Sequence, residues 1–322
     1  MILSNTNQFN KNIQGFQKRA TSALGIGKIA YNSVQNVFYT CNSSNTSHDI
    51  EIFDGTTLEK IGVLNTQLYR ERGMLYNPAN NRLYITCFGA GGSVAVFDCS
   101  TNALIEYIPT PAWPNTMYHM TLAPEVNKIF VPYGYQWSGG FITIDCNTNT
   151  YTHTFQGYGW AQSSAYDSKR NYLWIGINNN ASNSNIVAYD LTTNVYPYPY
   201  AVQQPYGSFI FFGRDSNLYD ADTDSVCVLD ESKGIRKFSC DSLSVVASAT
   251  QYATDLRDGE GPIKFGNQLH VANGTTYYVY NYSDLSLKYS FVHGLGGFCS
   301  LIKANNTVYA ANSNGIFEAI YN

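Results

Sequence analysis

A short strand motif returns seven times along this chain. It reads Val37-Phe38-Tyr39, Leu83-Tyr84-Ile85, Ile129-Phe130-Val131, Leu173-Trp174-Ile175, Leu218-Tyr219-Asp220, Leu269-His270-Val271 and Val308-Tyr309-Ala310, in steps of 46, 46, 44, 45, 51 and 39 residues. A second motif follows each copy. An aromatic residue or Ile precedes Asp in Phe53-Asp54, Phe97-Asp98, Ile144-Asp145 and Tyr189-Asp190, with weaker echoes at Phe238-Ser239, Tyr280-Asn281 and Phe317-Glu318. Thr- and Asn-rich turns come next, as in Gly55-Thr56-Thr57 and Asn147-Thr148-Asn149. An Asp at that place folds its carboxylate onto backbone N–H groups two residues on and fixes the turn.

The unit is clearest from Met74 to Ile108, where four short apolar runs are parted by Asn77-Pro78 with Asn80-Asn81, by Gly89 to Ser93, and by Asp98 to Asn102. The apolar pattern alternates with period two over four to six residues and is rich in Tyr, Thr, Val and Ile, so it reads as strand and not helix. Seven four-stranded meanders of about 45 residues are the period of a β-propeller. The expected fold is therefore all-β: a seven-bladed β-propeller of antiparallel blades forming one domain over residues 1–322. Blades are expected to start near residues 29, 74, 118, 164, 207, 261 and 298. One blade cannot cover both faces of its own sheet, so its neighbours must.

Residues 1–28 carry no secretory-signal pattern, since Met1-Ile2-Leu3 runs at once into Ser4 and Asn5. The last blade has three strands, near Cys299 to Ile302, Val308 to Ala311 and Ile316 to Ile320, and lacks a fourth. Counting back from Ile29 places the missing strand at Asn12 to Gln17, where it would close the ring and cover an exposed edge. The competing reading is an amphipathic helix on Phe9, Ile13, Phe16 and Ala20, disfavoured by Gly15 and the early Asn residues. In the fifth blade the third strand is expected at Gly234 to Cys240, leaving Asp222 to Lys233 as an insertion. No run approaches the length of a membrane span.

From Asn77 to Ile108 the sequence resembles the YVTN-type propeller repeat of surface-layer and secreted proteins. The residues that carry the resemblance are Pro78, Leu83-Tyr84-Ile85-Thr86, Val94-Ala95-Val96-Phe97-Asp98 and Thr101-Asn102. The segments from Leu122 to Phe155 and from Tyr166 to Tyr200 match less closely, and the last three blades are degenerate. The resemblance implies the architecture and little about activity, because propellers host unrelated functions.

In a propeller, the loops from each fourth strand to the next blade share one end with the loops between second and third strands. Here those loops hold Trp113, Tyr118, Tyr135, Trp137, Tyr158, Trp160 and Tyr206, with amide-rich Asn178 to Asn185 beside them. Aromatic faces ringed by amides suit sugar rings, which stack through C–H faces and hydrogen-bond through hydroxyls. The same aromatics would equally plug gaps between blades. Asp220, Asp222 and Asp224, with Glu231 at the twelfth position, offer the carboxylate density that Ca²⁺ favours. Ser225 stands where a calcium loop carries Gly, and Asp220 and Asp222 would also fit a plain alternating strand.

The five histidines show no metal-ligand spacing, and His270 occupies the aromatic slot of a second strand, which reads as a packed core residue. Cys41 and Cys87, and likewise Cys99 and Cys146, stand at repeat-equivalent positions of adjacent blades, and all seven cysteines read as free, packed thiols. Net charge is −4 with no run of Lys or Arg, which excludes the electrostatic footprint of nucleic-acid binding. Charged residues make up 13% of the chain, while Asn (33) and Tyr (27) abound, so amides and hydroxyls keep the surface wet.

Together these features give a non-enzymatic recognition or scaffold propeller, a surface-exposed or virion-associated structural or adhesion protein that binds a receptor, a protein partner in a larger assembly or a cell-surface glycan. An extracellular-facing or virion setting with synthesis and assembly in the cytoplasm reconciles the composition with the missing signal. The alternative is an enzyme, of lyase or hydrolase type, with a loop-built site at the channel mouth using His119, His293, Asp255 and Glu260.

Overall fold

The computed structural model describes residues 11–22, 27–41, 49–67, 71–87, 92–109, 117, 119–135, 138–155, 160–178, 185–203, 217–230, 234–249 and 263–322. They form seven four-stranded antiparallel sheets, each ordered as a simple meander. An N-terminal strand, β1 (Ile13–Ala20), comes before the first blade, which is β2 (Lys28–Asn32), β3 (Val37–Cys41), β4 (Asp49–Asp54) and β5 (Lys60–Asn65). The second blade is β6 (Glu71–Asn77), β7 (Arg82–Cys87), β8 (Ser93–Asp98) and β9 (Ala103–Pro109). The third is β10 (Thr121–Ala123), β11 (Lys128–Tyr135), β12 (Ser138–Asp145) and β13 (Tyr151–Phe155).

The fourth blade comprises β14 (Trp160–Asp167), β15 (Tyr172–Asn178), β16 (Asn185–Asp190) and β17 (Val195–Gln203). The fifth comprises β18 (Asn217–Asp220), β19 (Ser225–Asp230), β20 (Gly234–Ser239) and β21 (Val245–Ala249). In the sixth are β22 (Ile263–Phe265), β23 (Gln268–Asn273), β24 (Thr276–Asn281) and β25 (Leu287–Val292). The seventh is β26 (Ser300–Ala304), β27 (Thr307–Asn312) and β28 (Gly315–Tyr321), completed by β1.

β1 pairs antiparallel with β28, so the N-terminal segment supplies the strand that the last blade lacks and closes the ring. Its buried residues are Ile13, Phe16 and Ala20, the same spacing that suggested a helix. Register shifts between Ile13 and Gly15 and between Lys18 and Ala20 explain it. Each bulge adds one residue on one side of the ladder, so the step of three from Ile13 to Phe16 keeps one face, packed on the sixth blade, while the step of four to Ala20 turns to the other face, packed on the first. Phe16 packs edge-on against Tyr277 and Phe298 of the sixth and seventh blades, with ring centroids 4.9 Å away in both cases.

The fifth blade departs from the sequence reading. Leu218-Tyr219-Asp220 is a first strand, and Val226-Cys227-Val228 of β19 is the second. Asp222 to Lys233 is therefore not an insertion, although the third strand does start at Gly234. First strands also end in Tyr followed by Asn or Asp, as at Tyr31-Asn32, Tyr76-Asn77 and Tyr166-Asp167, and Tyr219-Asp220 belongs to that column. The described part of the blade's first strand is Asn217–Asp220, and the expected start near 207 lies outside the described residues.

Each seam between blades is a separate apolar layer. The layer between the first two blades contains Tyr39, Ile50, Ile52, Leu64, Leu83, Ile85, Ala95 and Phe97, and comparable layers recur around the ring. One second-strand position faces the next blade throughout: Tyr39, Tyr84, Phe130, Trp174, Cys227, His270 and Tyr309, all buried. Burial of one large apolar side chain contributes about 1.5–3 kcal/mol, so each seam stabilises the ring by several such steps.

Candidate functional site

Strand direction sorts the connections into two ends. The turns from first to second and from third to fourth strands lie at one end, and the remaining loops lie at the other. At the turn end the backbone is set by single residues in the left-handed region. Asn36, Asn81, Asn127, Asn171 and Asp224, each just before a second strand, have φ from 49° to 56°. Asn and Asp tolerate this conformation better than other side-chain-bearing residues.

Each of these residues is also a clamp. The carbonyls of Asn36, Asn81, Asn127, Asn171 and Asp224 accept from the N–H of Gly55, Cys99, Cys146, Leu191 and Cys240 in the neighbouring turn of the same blade. Tyr31, Tyr76 and Tyr166 donate to the Oδ1 of the Asn five residues on, at 2.9–3.2 Å. The third-strand acids behave as their pattern requires: the N–H groups of Thr56, Ser100, Asn147 and Thr192 donate to Asp54, Asp98, Asp145 and Asp190 at 2.7–2.9 Å. In the fifth blade Ser239 Oγ takes the place of the carboxylate, accepting from Asp241 at 3.3 Å.

Polar side chains then cross the seams. Asn77 donates to Asn127, and Asn80 donates to the Cys146 carbonyl, at 2.8 and 2.7 Å. Between the fourth and fifth blades, Arg170 reaches Asp167 at 2.9 Å, Asp224 at 2.6 Å, and Asp241. The hydrogen bond from Arg170 is the main reason that the Asp224 carboxyl is held well below the usual range. Asp167, Asp224 and Cys240 place ligand atoms within 4.8 Å of one another, but Arg170 and Lys169 already supply the positive charge there.

Of the carboxylates read from sequence as a calcium set, Asp220 and Asp222 share Lys264, and Asp224 pairs on the other side of the blade. Asp220 turns to Lys264 of the sixth blade at 2.5 Å and to the Thr223 hydroxyl, while Asp224 turns to Arg170 of the fourth. Asp222 is exposed and meets Lys264 at 3.1 Å. Glu231 lies outside the described residues. The two seams beside the blade thus divide the run, with Asp220 and Asp222 on the sixth-blade side and Asp224 on the fourth.

Of the loop aromatics, Trp113, Tyr118, Trp137, Tyr158 and Tyr206 lie outside the described residues. Tyr135 ends β11 opposite Ser138, and Trp160 opens β14 opposite Asn178, so both sit at strand ends on the loop side. The described part of this end is polar between the second, third and fourth blades. Thr121 Oγ1 lies 2.8 Å from the Ser164 carbonyl and 2.7 Å from Ser164 Oγ, and Thr86 donates to the Met117 carbonyl at 2.9 Å.

His119 Nδ1 accepts from the Ser164 N–H at 3.3 Å, which leaves the proton of the neutral ring on Nε2. Ser164 Oγ is engaged with Thr121, so these two residues do not form a nucleophile–base pair. His293 accepts from the Leu295 N–H at 3.2 Å and stacks on Phe298 at 4.1 Å, and burial lowers its pKa. Asp255 and Glu260 lie outside the described residues. His270 is buried, with Nδ1 3.0 Å from the Tyr277 hydroxyl, and desolvation lowers its pKa to about 3. It is a packed core residue, as its place in the repeat requires. The seven cysteines are free thiols, six of them buried.

No protein-family model matches the sequence, and none of the curated proteins does. Among solved structures, the chain is similar to one described as Kuenenia stuttgartiensis hydrazine synthase, with a TM-score of 0.75 and 14% identity over 97% of this chain and 99% of that one. At that identity the likeness is one of fold. The seven-bladed ring is thus supported twice, by the strand pairing and by a solved structure of similar fold. Among the described residues no helix is long and apolar enough to cross a membrane.

Proposed function

We propose that this chain is a non-enzymatic recognition or scaffold propeller that presents its loop end to a cell-surface glycan or a receptor protein. The asymmetry between the two ends carries this reading. Side chains at the turn end bond within the blades and across their seams, whereas the sequence concentrates unrepeated aromatic and amide residues in the loops of the other end. The YVTN-like repeat from Asn77 to Ile108, the low charge and the Asn- and Tyr-rich composition support a surface-exposed or virion-associated setting.

The test is a glycan array with the purified full chain, run with and without Ca²⁺. Binding is expected, with loss in Trp137→Ala and Trp160→Ala at unchanged circular dichroism. A blank array under both conditions removes the glycan and leaves a protein receptor, sought as a stable partner on purification. The catalytic alternative predicts turnover that His119→Ala abolishes. Against it stand the engagement of His119 Nδ1 by a backbone N–H and of Ser164 Oγ by Thr121.

A further inference from the structure

An outer strand of a propeller blade has one edge with no strand beside it, and such edges recruit other chains unless something blunts them. Charged residues, proline and bulges are the usual means. Six of the seven outer strands here carry at least one. β5 has Lys60 and a register shift, β9 has Glu106, Pro109 and a shift, and β17 has Pro197, Pro199 and two shifts. A shift marks β21, Lys288 and a shift mark β25, and β1 has Lys18, Arg19 and two shifts.

β13 has none of these. Its five residues, Tyr151-Thr152-His153-Thr154-Phe155, contain no Lys, Arg, Asp, Glu or Pro, and all five pair in unbroken register with β12. No described strand lies on its other side, and Tyr151, Thr152 and His153 are exposed. Thr, Tyr and Phe favour extended backbone. The strand therefore has no bulge and no charge or proline to guard it, and is exposed from Tyr151 to His153.

The order of its residues selects the occupant. Read outward from His153, the strand is symmetric: Thr on both sides, then an aromatic residue on both sides. We infer that β13 is the contact through which two copies of this chain associate, pairing antiparallel about a two-fold axis at His153. That register places Thr152 opposite Thr154 of the second copy, Tyr151 opposite Phe155, and His153 opposite itself. Thr–Thr and aromatic–aromatic pairs both favour antiparallel sheets, and a two-fold contact needs such a self-complementary patch. The two third blades would join into one eight-stranded sheet. This contact is independent of the loop end and of the reading proposed for it.

Sedimentation of the full chain over a concentration series tests the inference. The wild type is expected to approach the mass of a dimer, and His153→Lys, which sets two ammonium groups across the axis, is expected to stay monomeric with an unchanged far-ultraviolet spectrum. His153→Cys supplies a second measurement that does not depend on that variant folding. Residues opposed in an antiparallel pair have Cα atoms roughly 4.5–5.5 Å apart, within disulfide range, so this variant should oxidise to a covalent dimer while exposed Val246→Cys on β21 does not. A wild type that remains monomeric, a dimer that survives His153→Lys, or equal cross-linking through Val246→Cys would each overturn it.

Discussion

Asn36, Asn81, Asn127 and Asn171 show why a chain of this kind spends so many asparagines. Each holds a left-handed φ, and each gives its carbonyl to the turn between third and fourth strands. An ordinary side chain in that conformation costs about 1–2 kcal/mol. Asn81→Ala is therefore expected to lower stability by about 1 kcal/mol or more in denaturant unfolding, while Asn81→Gly, which keeps the backbone free, recovers most of the loss. A residue of another kind is His270. Its folded pKa of about 3 lies below the unfolded value near 6.5, so the unfolded chain binds the proton first. The stability it confers is complete above pH 6.5 and drains away as pH falls toward 3, by about 1.4 kcal/mol per pH unit. His270→Phe should flatten the acid limb of the stability curve by one proton; an unchanged slope would show that the histidine is not buried neutral.

Strands and seams bring a different set of forces. Arg170 faces three aspartates, and the Asp167 side chain among them has no exposure. Removing one partner of a buried pair leaves an uncompensated charge, at a cost of about 3–5 kcal/mol. Arg170→Met, which preserves the stem and loses the charge, is expected near that cost and should show as a fall in melting temperature. β1 closes the ring with a strand distant in sequence from its partner β28. Removing residues 1–22 opens that edge, so the truncated chain should aggregate or melt early, and a synthetic peptide of residues 11–22 should restore the melt. A truncated chain as stable as the full one would mean that β1 is not needed for closure. The helix-like spacing of Ile13, Phe16 and Ala20 also warns that period alone misleads wherever bulges intervene.

For the ring as a whole, the pairing of its ionic groups decides its response to metal. Asp220 and Asp224 bind side-chain cations of two different neighbouring blades, so adding Ca²⁺ is expected to leave the melting temperature unchanged. A ligand that bound only the folded state would raise it by mass action, and a rise of several degrees would show that the carboxylates regroup around the ion. The blade count, the meander and the closing strand were all legible in the sequence, because the first four blades repeat the same local chemistry: an alternating strand, a left-handed Asn, an Asp that fastens its own turn. The column of aromatic residues containing His270 was legible for the same reason. The fifth blade was misread where Leu218-Tyr219-Asp220 carried the signature of both a first and a second strand, a choice that only strand pairing makes. Local turn chemistry acts between residues a few places apart, so the sequence by itself determined the repeat, the turns and the need for a ring. What faces what across a seam joins residues about fifty positions apart, and only the closed ring decided that Asp220 and Asp222 would share Lys264 while Asp224 turned to Arg170, that Arg170 would gather three acids, and that β13 would be left with a bare edge.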